Sequence, residues 1–168
     1  MADIKNRRAE GEAALRPVDE EAVRQGIELL FFAYRDFTAE PDAILADYGF
    51  GRAHHRVVHF VGRHPQMTVG ALLGILRITK QSLNRVLGQL VRQGFIVQHQ
   101  GPEDRRQRLL ELTAKGRELE ARLSQPQRAR VAAAFDQAGP QAVDGFRKVL
   151  LGIIAAETDR ARFDRPRR

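Results

Sequence analysis

Apolar positions fall at helical spacing in successive stretches of the chain, and proline, glycine or small polar residues separate those stretches. Val23, Ile27, Leu30, Tyr34 and Phe37 form the first stripe, which predicts an amphipathic helix. Asp19 stands where it caps that helix, Glu20 and Glu21 suit its positive end, and Pro41 is expected to stop it. Gly26, Leu29, Phe31 and Ala33 widen the stripe, so the helix needs more than one packing partner. Residues 42–47 read as one further turn. Gly49 and Gly51 precede a second helix over 52–63, with Ala53, Val57, Phe60 and Val61 inward and Pro65 past its end.

The pattern then tightens. Val69, Leu72, Leu73 and Leu76 recur at i, i+3, i+4 and i+7 behind a capping Thr68, and Arg77-Ile78 is a tight turn. Thr79 caps the next helix, which Leu83, Val86, Leu87, Leu90 and Val91 hold to the core. Ile78 is placed to staple onto Leu83 and fix the angle between the two helices. Phe95, Ile96 and Val97 then start a ribbon, Gly101-Pro102 turns it, and Leu110 and Leu112 alternate on the return strand. Thr113 caps a long helix carrying Leu119, Leu123, Val131, Ala134 and Phe135, which Pro126 is expected to kink or split. Gly139-Pro140 ends it and starts a last helix with Val143, Phe146, Leu150 and Ile154.

This order predicts a mainly α fold with a small antiparallel β-ribbon. A winged helix-turn-helix occupies residues 49–113, between helical regions 18–48 and 114–160. Residues 1–17 read as a frayed arm and 161–168 as a charged tail. Both helical regions carry more apolar surface than a winged domain needs. That surplus predicts a dimerisation layer built from both ends, against the alternative of a thicker monomeric core.

Charge sharpens the picture. The formal net charge is +7 over 168 residues. Between Arg77 and Arg108, seven Lys or Arg face two acids, so a net of +5 sits within the helix-turn-helix and its ribbon. Such a balance favours double-stranded DNA as partner. The outward face of the second helix of the pair holds Lys80, Gln81, Ser82, Asn84, Arg85 and Gly88. Gln81 and Asn84 can bond an adenine edge, and Lys80 and Arg85 can read guanine or hold phosphate. A solvated helix surface would explain any one of them; the set, behind a capped turn, points to DNA. The caps Thr68 and Thr79 join the candidate contacts. Arg105, Arg106 and Arg108 crowd the ribbon tip, where arginine can enter a minor groove. Asp104 is expected to pair with the Arg106 guanidinium and orient it.

The remaining chemistry is sparse. There is no cysteine, which excludes disulfides and thiol-based sensing. No apolar run approaches the roughly 20 residues of a membrane span, and the N-terminal residues lack a signal-peptide core, so a cytoplasmic protein without membrane contact is expected. His55 and His59 share a helical face and are weak candidates for a metal, but two histidines do not complete a four-ligand site and no metal or other cofactor is expected. No nucleophile elbow, phosphate loop or zinc-protease motif argues for an enzyme.

The residues also carry a family resemblance. Asp104, Arg106, Leu110, Leu112 and Thr113, followed by Lys115-Gly116, resemble the ribbon signature of the MarR family of bacterial transcription regulators, and residues 78–85 resemble its turn and recognition helix. Within the family, YGFGRAHHR and ITKQSLNRVL are similar to the PetP-like subgroup. The resemblance implies a homodimer joined through terminal helices, a palindromic operator, and usually repression. It also implies a small-molecule effector for many members, bound between the dimerisation and DNA-binding regions. The residues it would place there are Phe31, Tyr34, Phe50, His54 and Val58. Two other readings stand beside a specific regulator: a winged-helix module that binds protein, and a nonspecific architectural DNA-binding protein.

Overall fold

A computed structural model describes residues 19–164. The described residues divide into two units, one up to Asp36 and one from Phe37 onward. Helix α1 (Glu20–Ala46) begins in the first and ends in the second. Asp19 Oδ1 accepts the Glu21 amide at 3.1 Å, the expected cap. The arm assigned to residues 1–17 lies outside the described residues.

The rest of the order is α2 (Arg52–Arg63), β1 (Met67–Thr68), α3 (Val69–Leu76), α4 (Lys80–Arg92), β2 (Ile96–Gln100), β3 (Arg108–Leu112), α5 (Ala114–Ala138), α6 (Pro140–Ile153) and α7 (Glu157–Arg160), closed by a 3-10 turn over Ala161–Phe163. The fold is mainly helical with one small antiparallel sheet, ordered β1-β3-β2. β2 and β3 form the expected ribbon, from Ile96 opposite Leu112 to Gln100 opposite Arg108. The two-residue strand β1 has no counterpart in the sequence pattern; it pairs Met67 with Leu110 and Thr68 with Leu109.

The core sits in the second unit. Leu45, Val57, Val58, Leu72, Leu83, Leu90, Leu110 and Leu123 are wholly buried, so the end of α1, α2, α3, α4, β3 and α5 share one apolar interior. The stripes read from sequence on α2, α3 and α4 are its inward faces, whereas Val23, Ile27, Leu30 and Tyr34 of the first stripe and Phe146 of the last are exposed. Val91 departs from its stripe: it is exposed, because the inward line of α4 passes through Leu83, Val86, Leu87 and Leu90.

Two prolines correct the expected boundaries. Pro41 does not stop α1, which continues to Ala46. A proline at 41 leaves the carbonyl of residue 37 without its helical donor. Gln127 of α5 replaces it, its side-chain amide reaching Phe37 O at 3.2 Å, and Arg130 bridges to Glu40 at 3.1 Å. Buried Pro41 and Leu45 anchor the same segment. Pro126 likewise fails to split α5, which runs unbroken to Ala138 before Gly139, at φ 80°, ends it. Residues 161–163, read from sequence as part of a charged tail, continue from α7 as the 3-10 turn. Asp159 ties this end down through Arg162 at 3.5 Å and through Arg77, in the turn before α4, at 3.1 Å.

Candidate nucleic-acid interface

The interface is assembled from α3, the turn after it, α4 and the β2–β3 wing. Thr68 Oγ1 accepts the Ala71 amide at 3.0 Å and starts α3. Arg77 ends that helix in the left-handed region at φ 50°, its amide bonded to Leu73 O, so the chain turns within three residues. Thr79 then starts α4: its hydroxyl accepts the Ser82 amide at 3.1 Å and donates to Ser82 Oγ at 2.9 Å. Both caps expected from the sequence are therefore present, and the hydroxyl of Thr79 is engaged inside the fold in both directions. Ile78 is half-buried against the core that holds Leu83, as a staple requires.

Burying Leu83, Val86, Leu87 and Leu90 turns the opposite side of α4 to solvent. Lys80, Gln81, Asn84 and Arg85 are all exposed on it, with Arg92 at its far end. The structure thus brings together the cations and amides expected to face a groove, at the N-terminal end from which recognition helices read bases. Ser82 is half-buried and held by Thr79.

The wing tip is preformed, but not as expected. Asp104 does not grip the Arg106 guanidinium. Its Oδ1 accepts the backbone amide of Arg106 at 2.9 Å, an Asx turn. The Gln107 amide bonds Asp104 O at 3.0 Å, and the Gly101 amide bonds Gln107 O at 3.0 Å, closing the loop. A Cβ on Gly101 would stand 2.7 Å from Asp104 O, so only glycine allows this closure. Asp104 fixes the backbone from which Arg105, Arg106 and Arg108 project, all exposed. A short acid can reach the amide two residues on in its own turn; that local bond competes successfully with an exposed ion pair, which is weak in water.

Two contacts that set the pose of α4 leave no mark in the sequence pattern. His54, nine-tenths buried and stacked on Phe50 at 4.5 Å, accepts the Gly51 amide through Nδ1 at 3.1 Å. Its other nitrogen, 2.7 Å from Gln89 Oε1, joins the start of α2 to the flank of α4. At the other end of α4, Lys115 Nζ donates to Gln93 O at 2.9 Å and lies 4.3 Å over the Phe95 ring, a cation at the negative end of the helix. Thr113 donates to Gly94 O at 2.6 Å while capping α5. Lys115-Gly116 is visible as a motif, but its partners lie some twenty residues away and only the folded chain shows them.

The candidate effector residues are distributed as follows. Phe50, His54 and Val58 are buried in the interior of the second unit, whereas Phe31 and Tyr34 are exposed on α1 in the first. His55 and His59 do share a face. Burial, and then the neighbouring His59, hold His55 below its ordinary value. Burial also lowers His59, against an opposing pull from Glu120 3.8 Å away. Among the described residues, no three histidine or acidic side chains gather into a group that could hold a metal ion.

With this geometry established, comparison with known proteins gives a consistent result. A profile of the MarR family matches residues 48–107, from the end of α1 through the wing tip. The chain is 52% identical over 144 residues to the HTH-type transcriptional regulator PetP of Rhodobacter capsulatus, covering 86% of each. Among solved structures, Streptococcus pneumoniae FabT in complex with DNA superposes with a TM-score of 0.65 at 18% identity, covering 80% of this chain and 94% of that one. A point variant of S. aureus MepR bound to an oligodeoxyribonucleotide gives 0.55 at 15% identity, covering 76% and 94%. At such identities the superpositions speak for the fold.

Proposed function

The chain belongs to the MarR family, within it to the PetP-like regulators, and we propose that it acts as a homodimeric, sequence-specific repressor on a palindromic operator. The observation that carries this is the outward face of α4: a capped, core-anchored helix presents Lys80, Gln81, Asn84 and Arg85 together, beside a wing tip locked by Asp104 with three exposed arginines. In this reading α4 enters the major groove, its amides meeting base edges and its guanidinium groups holding phosphate, and the wing arginines reach an adjacent minor groove. Thr68 and Thr79 act by fixing the helix starts. FabT was solved with DNA and MepR with an oligodeoxyribonucleotide, and that role is carried to this chain on the strength of its own basic face.

Exposed apolar surface supports the dimer. Val23, Ile27, Leu30, Phe31 and Tyr34 stand out on α1, and Phe146, Val149 and Ile153 on α6. Clusters of large apolar side chains exposed on one helix mark interaction surfaces. A second copy covers them and places two recognition helices on half-sites about one helical turn, roughly 34 Å, apart. A small-molecule effector acting on Phe31 and Tyr34 or on the Phe50–His54 stack completes the proposal. No described helix is long and apolar enough to cross a membrane, and the reading places the protein in the cytoplasm with its DNA, without catalytic function.

The test is selection of the purified protein on a random duplex library at fixed salt, followed by anisotropy titration of winning and scrambled duplexes. A palindrome bound at least ~10³-fold more tightly than scrambled DNA is expected. Equal affinity for all duplexes would replace the specific regulator by an architectural protein, and no binding at low salt would leave a protein-interaction module.

A further inference from the structure

Gly88 lies in the middle of α4, where glycine is the least favourable residue other than proline. Its backbone does not require it: the described positive-φ positions are Gly49, Gln66, Arg77, Gly94 and Gly139, and Gly88 is not among them. Packing does not require it either. A Cβ at Gly88 would meet only Arg92 Nη1, at 3.1 Å, the far end of a flexible and exposed side chain. Compare Gly116, whose Cβ would overlap the Phe95 carbonyl oxygen, and Gly62, whose Cβ would stand 3.0 Å from Leu112. Those two serve the fold; Gly88 does not.

Its position shows what it serves. Gly88 is seven residues beyond Gln81, two helical turns along the same outward line, and Arg85 and Arg92 flank it at three and four residues. It is opposite the buried line of Leu83, Val86, Leu87 and Leu90. The centre of the groove-facing surface is therefore side-chain-free, half-buried backbone, with the Arg92 guanidinium lying against it and Arg85 on its other side. We propose that Gly88 is a close-approach point for the sugar–phosphate strand that walls the groove. The strand packs on the α4 backbone there, and Arg85 and Arg92 take the phosphates on either side. The choice of a sugar–phosphate strand rather than a base edge follows from those flanking charges and from the lack of any side-chain donor or acceptor at 88. This inference rests on the DNA-binding reading above.

The test is Gly88→Ala in the full chain, measured against the selected palindrome and a scrambled duplex over a range of salt. The variant is expected to melt about 2–4 °C higher, because alanine favours the helix. It is expected to bind both duplexes on the order of tenfold more weakly. Its salt slope should match the parent's, since no charge is lost, whereas Arg85→Ala should lower the slope by about 1. Higher stability with unchanged affinity would overturn the close approach. The penalty must also persist in an Arg92→Ala background. Its disappearance there would mean that the alanine acts only by displacing Arg92, which overturns the proposal as well. A parent that binds no duplex would overturn the DNA-binding reading and this inference together, so the two failures are told apart by the parent alone.

Discussion

Gly116→Ala tests how tightly the recognition helix is joined to the wing. Gly116 is buried in the first turn of α5 against the α4–β2 junction. A Cβ there would overlap Phe95 O, with the carbonyl carbon 3.0 Å away and Leu112 Cβ at 3.3 Å. The neighbour is backbone, so the strand start must move. Phe95 O accepts the Thr113 amide at 3.1 Å and Thr113 Oγ1 at 3.3 Å, and moving it sacrifices both contacts. Two such bonds are worth about 1 kcal/mol each, and overpacking adds about 2 kcal/mol. The helix gains back about 1 kcal/mol from losing a glycine. The net is a destabilisation of about 3 kcal/mol, or roughly 6–12 °C in Tm for a chain of this size. Thermal and urea melts by circular dichroism measure it, with DNA anisotropy on the same samples. A variant melting within ~2 °C of the parent would refute the reasoning, because the junction would then yield without breaking its bonds.

Three further outcomes are expected. Asp104→Ala should leave Tm within about 1 °C, since its Asx turn is exposed, yet weaken operator binding by about tenfold as the arginine tip loosens; unchanged affinity would show that the wing needs no preset shape. Both His55 and His59 titrate below their ordinary value of 6.5, so below that pH the unfolded chain binds protons that the folded chain does not. Stability should therefore be full above about pH 6.5 and fall as the pH drops below it; a urea midpoint that holds level from about pH 7.5 to 5.5, or a His59→Gln variant with an unaltered slope, would contradict this. Ile27→Asp, on the open face of α1, should weaken self-association by at least ~100-fold in analytical ultracentrifugation and abolish preference for palindromes; an undisturbed dimer would move the interface elsewhere.

Much of this fold was legible because helical periodicity, caps and turn residues agree with one another. Thr68, Thr79 and Thr113 all cap where the pattern placed them, and the alternation of Leu110 and Leu112 marked the inner strand. Two of the failures share one cause, distant partners overriding local rules, whereas at Asp104 a local bond prevailed over the expected ion pair. Proline has a local penalty in a helix, and Gln127, ninety residues from Phe37, offsets it at Pro41. Strand β1 has two residues, too few to show a period, and is a strand only because β3 lies beside it. The outward face of α4 was readable from polarity alone. The His54–Gln89 and Lys115–Gln93 contacts that aim it were not, because neither pair has a recognisable spacing.

Strand β1 makes the reading head a caliper. Its Thr68 both caps α3 and pairs with Leu109, and the Gln66 amide bonds Leu110 O at 2.9 Å, so the helix pair and the wing are stitched to the same strand. In the proposed binding mode, that stitching sets the interval between the bases met by α4 and the minor groove met by the arginine tip. One base pair inserted between those two elements of an operator displaces the second by about 3.4 Å. The pairing of β1 with β3 opposes such a shift. Divergence among its target sites should accordingly be free in composition at unread positions but intolerant of changes in length.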